Sequence, residues 1–351
     1  MLLAGGLLQA AGARGTTLPR GGVLGHQPVG SARRALAARS RDGSVRLAGD
    51  HIQTALVAAV NGHAGPVSSV AFSPNGRILA TATENGTVQL WGAPTYVLIG
   101  RLTGLTRIVQ SVAFSPDGRL LAAGGRDGLV AIWDVQSHRQ LGTTLKAHAG
   151  SVYSVAFSPD GGTLAAASAN GVQLWDVQSH KRVGTLNDRV GSTTLAFSPG
   201  GRILATGDVD GSVVLWDTRS KTRLGRPLKD RIGLVNSVAF SPDGRSLAVG
   251  NGNGGTVALW DVQHRRQIAT LVLTRHPIPV NAVVFSPHGR TLAISSEDGT
   301  VQLWDAQGHT RLATLHAGTT PVFSVRFSPN GRFLAAGGFD GTIRVWELQP
   351  N

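Results

Sequence analysis

The sequence predicts an all-β protein assembled from seven copies of one small sheet, and three regularities predict it. The seven tryptophans, Trp91, Trp133, Trp175, Trp216, Trp260, Trp304 and Trp346, are spaced by 42, 42, 41, 44, 44 and 42 residues. Phe-Ser-Pro recurs in the same phase, beginning at Phe72, Phe114, Phe157, Phe197, Phe240, Phe285 and Phe327. Turns of the Pro-Asp-Gly and Asp-Gly kind separate short apolar runs inside the copies. A period of roughly 40 to 45 residues built from short strands belongs to a propeller blade, so the expected architecture is a seven-bladed β-propeller.

The second copy shows the elements in order. Residues 109–115 make a strand, and Pro116-Asp117-Gly118 reverses it, because proline presets φ, Asp follows and Gly takes the left-handed position. Residues 120–125 return, Asp127-Gly128 supplies the strongest short hairpin signal, and residues 130–134 form the third strand. Residues 139–145 read as the outer, fourth strand. Apolar residues run almost continuously through the inner strands, as sheets covered on both faces require.

Composition removes several function classes. The 351 residues, 41% hydrophobic and 15% charged, fit a packed soluble protein. With Cys 0 there are no disulfides, thiolate zinc sites, iron–sulfur clusters or cysteine nucleophiles. The excess of 33 cations over 20 acids, a net charge of +13, raises the question of nucleic acid or an anionic membrane. Only Lys146, Lys181, Lys221 and Lys229 are lysines and no basic run exceeds two residues, so the excess is arginine and reads as the codon usage of a GC-rich genome. Residues 1–13 are apolar but shorter than the roughly 20 needed to span a bilayer. No basic residue precedes them as a secretory signal requires, although Ala11-Gly12-Ala13 has the form of a cleavage site, and the expected location is cytoplasmic.

Leu-Trp-Asp at 174–176, 215–217, 259–261 and 303–305, with Gly62-His63 upstream, resembles the WD40 repeat family over residues 51–351. Only five residues follow Trp346, too few for an outer strand, whereas residues 52–60 align with outer strands. The resemblance implies that this N-terminal strand closes the last blade. It also implies a hydrogen-bonded set of buried His, Ser or Thr, turn Asp and Trp in each blade. His276, Ser296, Asp298 and Trp304 match it fully; His316, Asp340 and Trp346 match with Gly338 at the hydroxyl position. His63, Thr83, Asn85 and His148, Ser168, Asn170 carry Asn for Asp, while Leu105, Asp188 and Arg231 replace the His elsewhere and Gly254 replaces the Asp of the fifth blade.

Residues 1–50 are expected to be a poorly ordered segment preceding the propeller at 51–351. At about residues 25–50 they carry a degenerate eighth repeat, with Leu36-Ala37-Ala38 and Arg41-Asp42-Gly43 echoing residues 121–123 and 126–128. It lacks Phe-Ser-Pro and has Ala48 where Trp belongs, which places it outside the ring, an eight-bladed ring being the alternative.

No catalytic, cofactor or metal site is expected. Residues 250–255 satisfy G-x-G-x-x-G, but a strand follows instead of the helix that would hold a pyrophosphate. The resemblance places three residues of each blade on the narrow face, two at the start of the inner strand and one before the turn Asp. The set nearest the channel, Ser68, Gln110, Tyr153, Thr193, Asn236, Asn281 and Phe323, contains no charge and no histidine, which disfavours a propeller lyase or hydrolase.

A binding site is read on the same face. Phe323 and Phe339 fall on the last blade between Glu297 on one neighbour and Glu84 on the other, with Arg126 and Tyr153 further round. Aromatics in a polar rim make interface hot spots, the alternative being that either ring packs down onto its blade. Cations gather on the opposite face, at Arg77, Arg119, Arg202, Arg245, Arg290 and Arg332, and are expected to pair with the acids after the tryptophans, Asp134, Asp176, Asp217, Asp261 and Asp305. No aromatic stacking platform accompanies them, which disfavours a nucleic-acid-binding propeller. The expected protein is a non-catalytic, monomeric scaffold with a protein or peptide partner, no membrane and no cofactor. In bacteria such arrays often follow a kinase, NTPase or protease-like domain, so the resemblance admits the propeller part of a larger signalling protein.

Overall fold

A computed structural model describes residues 52–350 except 64, 106, 148, 187–190, 230–232 and 275. The repeat remnant read at 25–50 lies outside the described residues. All described elements are strands, gathered in seven antiparallel sheets, one for each sequence period.

The first sheet follows the chain from the inner strand Val67–Phe72 through Ile78–Thr83 and Val88–Gly92 to the outer strand Val97–Leu102. The last sheet takes Val322–Phe327, Phe333–Gly338 and Thr342–Pro350 from the C-terminal end, and its outer strand, Ile52–Asn61, from the N-terminal one. That strand runs antiparallel to Thr342–Pro350 from Ile52 opposite Pro350 to Asn61 opposite Thr342, and Thr342 Oγ1 donates to Asn61 Oδ1 at 2.8 Å. The ring therefore has seven blades among the described residues, closed as the strand arithmetic requires.

Two outer strands are shorter than the sequence suggests. In the second blade only Leu145–Lys146 and an isolated bridge between Trp133 and Gln140 remain of residues 139–145. In the fourth the edge breaks into Thr222–Arg223 and Leu228–Lys229. Gly142, at φ 64°, and Gly225, at φ 69°, turn the chain left-handed in the middle of these edges, so an extended run cannot continue.

The core is a series of seams rather than one centre. Each of seven apolar clusters joins one blade to the next, and the last sets Val67, Val70, Leu79 and Trp91 of the first blade against Ala335, Ile343 and Val345 of the seventh. Small residues in the second strands make room for these contacts. A Cβ at Gly124, Gly207 or Gly337 would lie within 2.5 Å of Cγ1 of Val152, Val235 or Val67 on the following blade. Such distances are far inside van der Waals contact, so a larger side chain would push two blades apart.

The Phe-Ser-Pro turns behave as their residues predict. Ser115 Oγ donates to Asp117 Oδ1 at 2.5 Å and accepts from the Leu120 N–H at 2.9 Å, while Asp117 takes the Arg119 N–H at 3.0 Å. A side-chain oxygen thus fills the backbone valences the reversal leaves open.

A candidate protein-binding face on the last blade

The inner strands start with the same irregularity in every blade. Their register slips between Val67 and Ser69, Val109 and Ser111, Val152 and Ser154, Ser192 and Thr194, Val235 and Ser237, Val280 and Ala282, and Val322 and Ser324. The skipped residues are Ser68, Gln110, Tyr153, Thr193, Asn236, Asn281 and Phe323, the set expected nearest the channel, and all are half-buried. A bulge frees a side chain from the sheet's alternation and re-aims it. Ser68 Oγ donates to Val109 O at 2.5 Å, Asn236 Nδ2 to Val280 O at 2.9 Å and Asn281 Nδ2 to Val322 O at 3.1 Å, each bond crossing to the next blade. Phe323 has no donor to make such a bond.

The third presented position is pinned to the first by the backbone. The N–H of Phe339 donates to Pro321 O at 2.8 Å, of Glu84 to Pro66 O at 3.1 Å, of Glu297 to Pro279 O at 3.1 Å, and of Arg126 to Ile108 O at 2.9 Å. All four side chains are exposed. In the fifth blade the equivalent donor is Gly252, to Leu234 O at 2.8 Å, because the turn there carries an extra glycine; Asn253 stands one residue further on. Asn253, rather than Gly254, thereby falls at the turn-Asp position of that blade.

Phe323 and Phe339 meet edge to face, with ring centroids 6.0 Å apart and planes at 78°. Phe323 is half-buried, while Phe339 is 51% exposed, the only exposed aromatic among the large apolar side chains described. The lower ring therefore holds the upper one out from the blade, and the blade does not cover it. Glu84 and Glu297 occupy the equivalent turn position on the flanking first and sixth blades. Arg126 is on the second blade and Tyr153 on the third, away from the aromatic pair. Beside Phe339, Asp340 forms an ion pair with Arg344 at 2.8 Å. Burial opposes ionisation of Asp340, but hydrogen bonds from Arg344 and Thr342 outweigh it and hold the carboxyl below its ordinary range.

The hydrogen-bonded sets differ from the expected ones. Trp304 Nε1 donates to Gln302 Oε1 at 3.1 Å, not to Ser296, and Ser296 Oγ donates to Asp298 at 2.6 Å. His276 and His316 are exposed, so neither is the buried histidine the resemblance implies. Trp346 is buried at 4%, and Asp340 turns to Arg344. Register gives the reason. Leu292 pairs with Trp304, so the second-strand residue two places on, Ile294, shares the indole's face, and Ser296 lies beyond reach at the turn. In the first and fourth blades that nearer position is a threonine, and Trp91 Nε1 donates to Thr81 at 2.9 Å and Trp216 Nε1 to Thr206 at 3.2 Å.

The chain from histidine to tryptophan is complete only in the first blade among the described residues. His63 Nε2 lies 3.1 Å from Thr81 Oγ1, and its ring meets Trp91 edge to face at 5.6 Å. Burial first, and the charge of Arg101 second, lower the His63 pKa to about 4. His148, Asp188 and Arg231 lie outside the described residues.

On the opposite face the expected ion pairs give way to turn caps. Asp134 accepts from the hydroxyl and the N–H of Ser137, Asp176 does the same with Ser179, and Asp305 accepts the N–H groups of Gln307 and Gly308. Asp261 takes His264 at 2.9 Å, Asp217 reaches Arg202 at 3.5 Å, and Glu347, after the last tryptophan, pairs with Arg332 at 2.5 Å. An acid opening a turn has N–H donors two or three residues away, and these are captured at less entropic cost than a long arginine. Among the described residues no three His, Asp or Glu side chains are grouped to hold a metal, and no helix is long and apolar enough to cross a membrane.

Residues 66–347 match the family model described as the IFT122 first beta-propeller. No curated protein matches the chain.

Proposed function

Because the chain belongs to the IFT122 first beta-propeller family, we propose that it is a non-catalytic interaction scaffold whose partner segment docks on the narrow face of the last blade. The observation that carries the proposal is the edge-to-face pair of Phe323 and Phe339, with Phe339 51% exposed on a loop pinned by its own backbone. A preformed aromatic anchor loses little entropy on binding. The carboxylates of Glu84 and Glu297 on the flanking blades favour a peptide with an apolar side chain beside Lys or Arg, whose stem lies on a ring while its charge approaches an acid. The proposed partner is a protein, not nucleic acid, and the proposed working unit is one ring.

Selection of a displayed peptide library on the wild-type chain tests this. Enriched peptides should carry an apolar residue next to a basic one. Changing both phenylalanines to alanine should leave a cooperative melt and weaken those peptides by roughly thirtyfold, the effect of truncating a buried aromatic anchor. Unchanged affinity in a folded variant places the site elsewhere, and loss of folding shows that the rings belong to the core.

A further inference from the structure

The inner strands carry a second departure from the repeat, deeper in the ring. Opposite Ala80, Ala122, Ala165, Ala205 and Ala248 of the second strands, the first five inner strands place alanine, and the sixth places Val284 opposite Ala293. The seventh places Arg326, opposite Ala335. Ser324, two residues earlier and so on the same face, accepts the Val70 N–H of the first blade at 3.1 Å. Arg326 therefore enters the seam between the seventh and first blades, on a strand with no partner on its axial edge. It is half-buried.

Its guanidinium uses little of its bonding capacity. Nη1 donates to Val325 O at 2.9 Å within its own strand, and Arg326 enters no ion pair among the described residues. Burial lowers its pKa, with no neighbouring acid to oppose the effect. With one N–H donated to the protein, the guanidinium keeps a planar fork that an oxyanion can engage in two hydrogen bonds. Arg326 stands one residue before the Phe327-Ser328-Pro329 turn, away from the bulged end of its strand, and the turns of its own blade and the next carry Asn330 and Asn75 where the second, third and fifth blades carry Asp117, Asp160 and Asp243.

We propose that the axial opening beside Arg326 binds a small oxyanion of the phosphate or carboxylate type, separately from the peptide site on the narrow face. The experiment follows the melting midpoint of the full chain and of Arg326→Ala during titration with inorganic phosphate and, in a second arm, acetate, both at constant ionic strength. One anion at about a hundred times its Kd should raise the wild-type midpoint by roughly 2 to 5 °C beyond the change seen in the variant. A response to phosphate alone assigns a phosphoryl ligand, and a response to acetate alone assigns a carboxylate. In buffer without either anion the alanine variant should melt at or above the wild type, since five blades already carry alanine there. Equal shifts in the two proteins with both anions overturn the proposal. If the alanine variant fails to fold, Arg326→Met, which keeps the aliphatic stem, replaces it, and failure of both overturns the proposal by making the side chain structural.

Discussion

His63 shows how one side chain's burial becomes a property of the whole blade. Its pKa is about 4 in the folded ring against the usual 6.5, so between these values the unfolded chain binds a proton that the folded chain refuses. Stability from this group is complete above pH 6.5, falls as the pH drops towards 4, and changes no further below that. Discounted for the ring's partial exposure, the loss is about 2 kcal/mol. Denaturant unfolding from pH 7 to pH 4 should show the wild type losing that much more than His63→Gln; parallel curves would contradict it. The turn acids Asp117, Asp160 and Asp243, held below their ordinary range first by the hydroxyls of Ser115, Ser158 and Ser241, act in both proteins and cancel in the comparison.

The strand Ile52–Asn61 decides whether the ring is closed. It covers the edge of Thr342–Pro350, and its Ala58 and Val60 pack on the seam between the last and first blades. Removing residues 1–50 should leave the melting midpoint unchanged. Removing residues 1–61 should lower it and produce aggregation, because a long bare edge is a template for pairing with another chain. Calorimetry with light scattering measures both, and equal behaviour of the two truncations would refute the closing role.

Charge belongs to the scale of the whole ring. On the rim Arg202 and Arg332 are already engaged with Asp217 and Glu347, and Arg223 and Arg332 lie over the rings of Trp216 and Phe333 at 5.3 and 5.5 Å. Cations set at separate turns around a circle do not track a straight phosphate backbone. At about 150 mM salt the Debye length is roughly 8 Å, so scattered contacts are screened. Fluorescence anisotropy with a mixed-sequence duplex at that salt should show no submicromolar binding; tight binding with a steep salt slope would reverse this reading.

The sequence by itself determined whatever is specified within a few residues of chain and then repeated. The Ser-Pro-Asp-Gly turns, the strands between them and the number of blades follow from local chemistry in a fixed phase, while the positions of Phe323 and Phe339 on the narrow face are what the family resemblance implies. Tertiary structure decided what depends on register and on neighbouring blades. Which residue receives a tryptophan N–H turns on the cross-strand offset, which selects Thr81 over Thr83 and, where Ile294 fills the nearer position, leaves Trp304 to donate to Gln302. Exposure of His276 depends on a loop whose course no periodicity sets, and that of His316 on its place at the end of the outer strand Arg311–His316. Arg326 is the one arginine in a column of alanine and valine, but that it enters no ion pair among the described residues is a fact of three dimensions. A repeat encodes a blade, whereas the surroundings of a side chain are supplied by the next blade, distant in sequence and joined to it only when the ring closes.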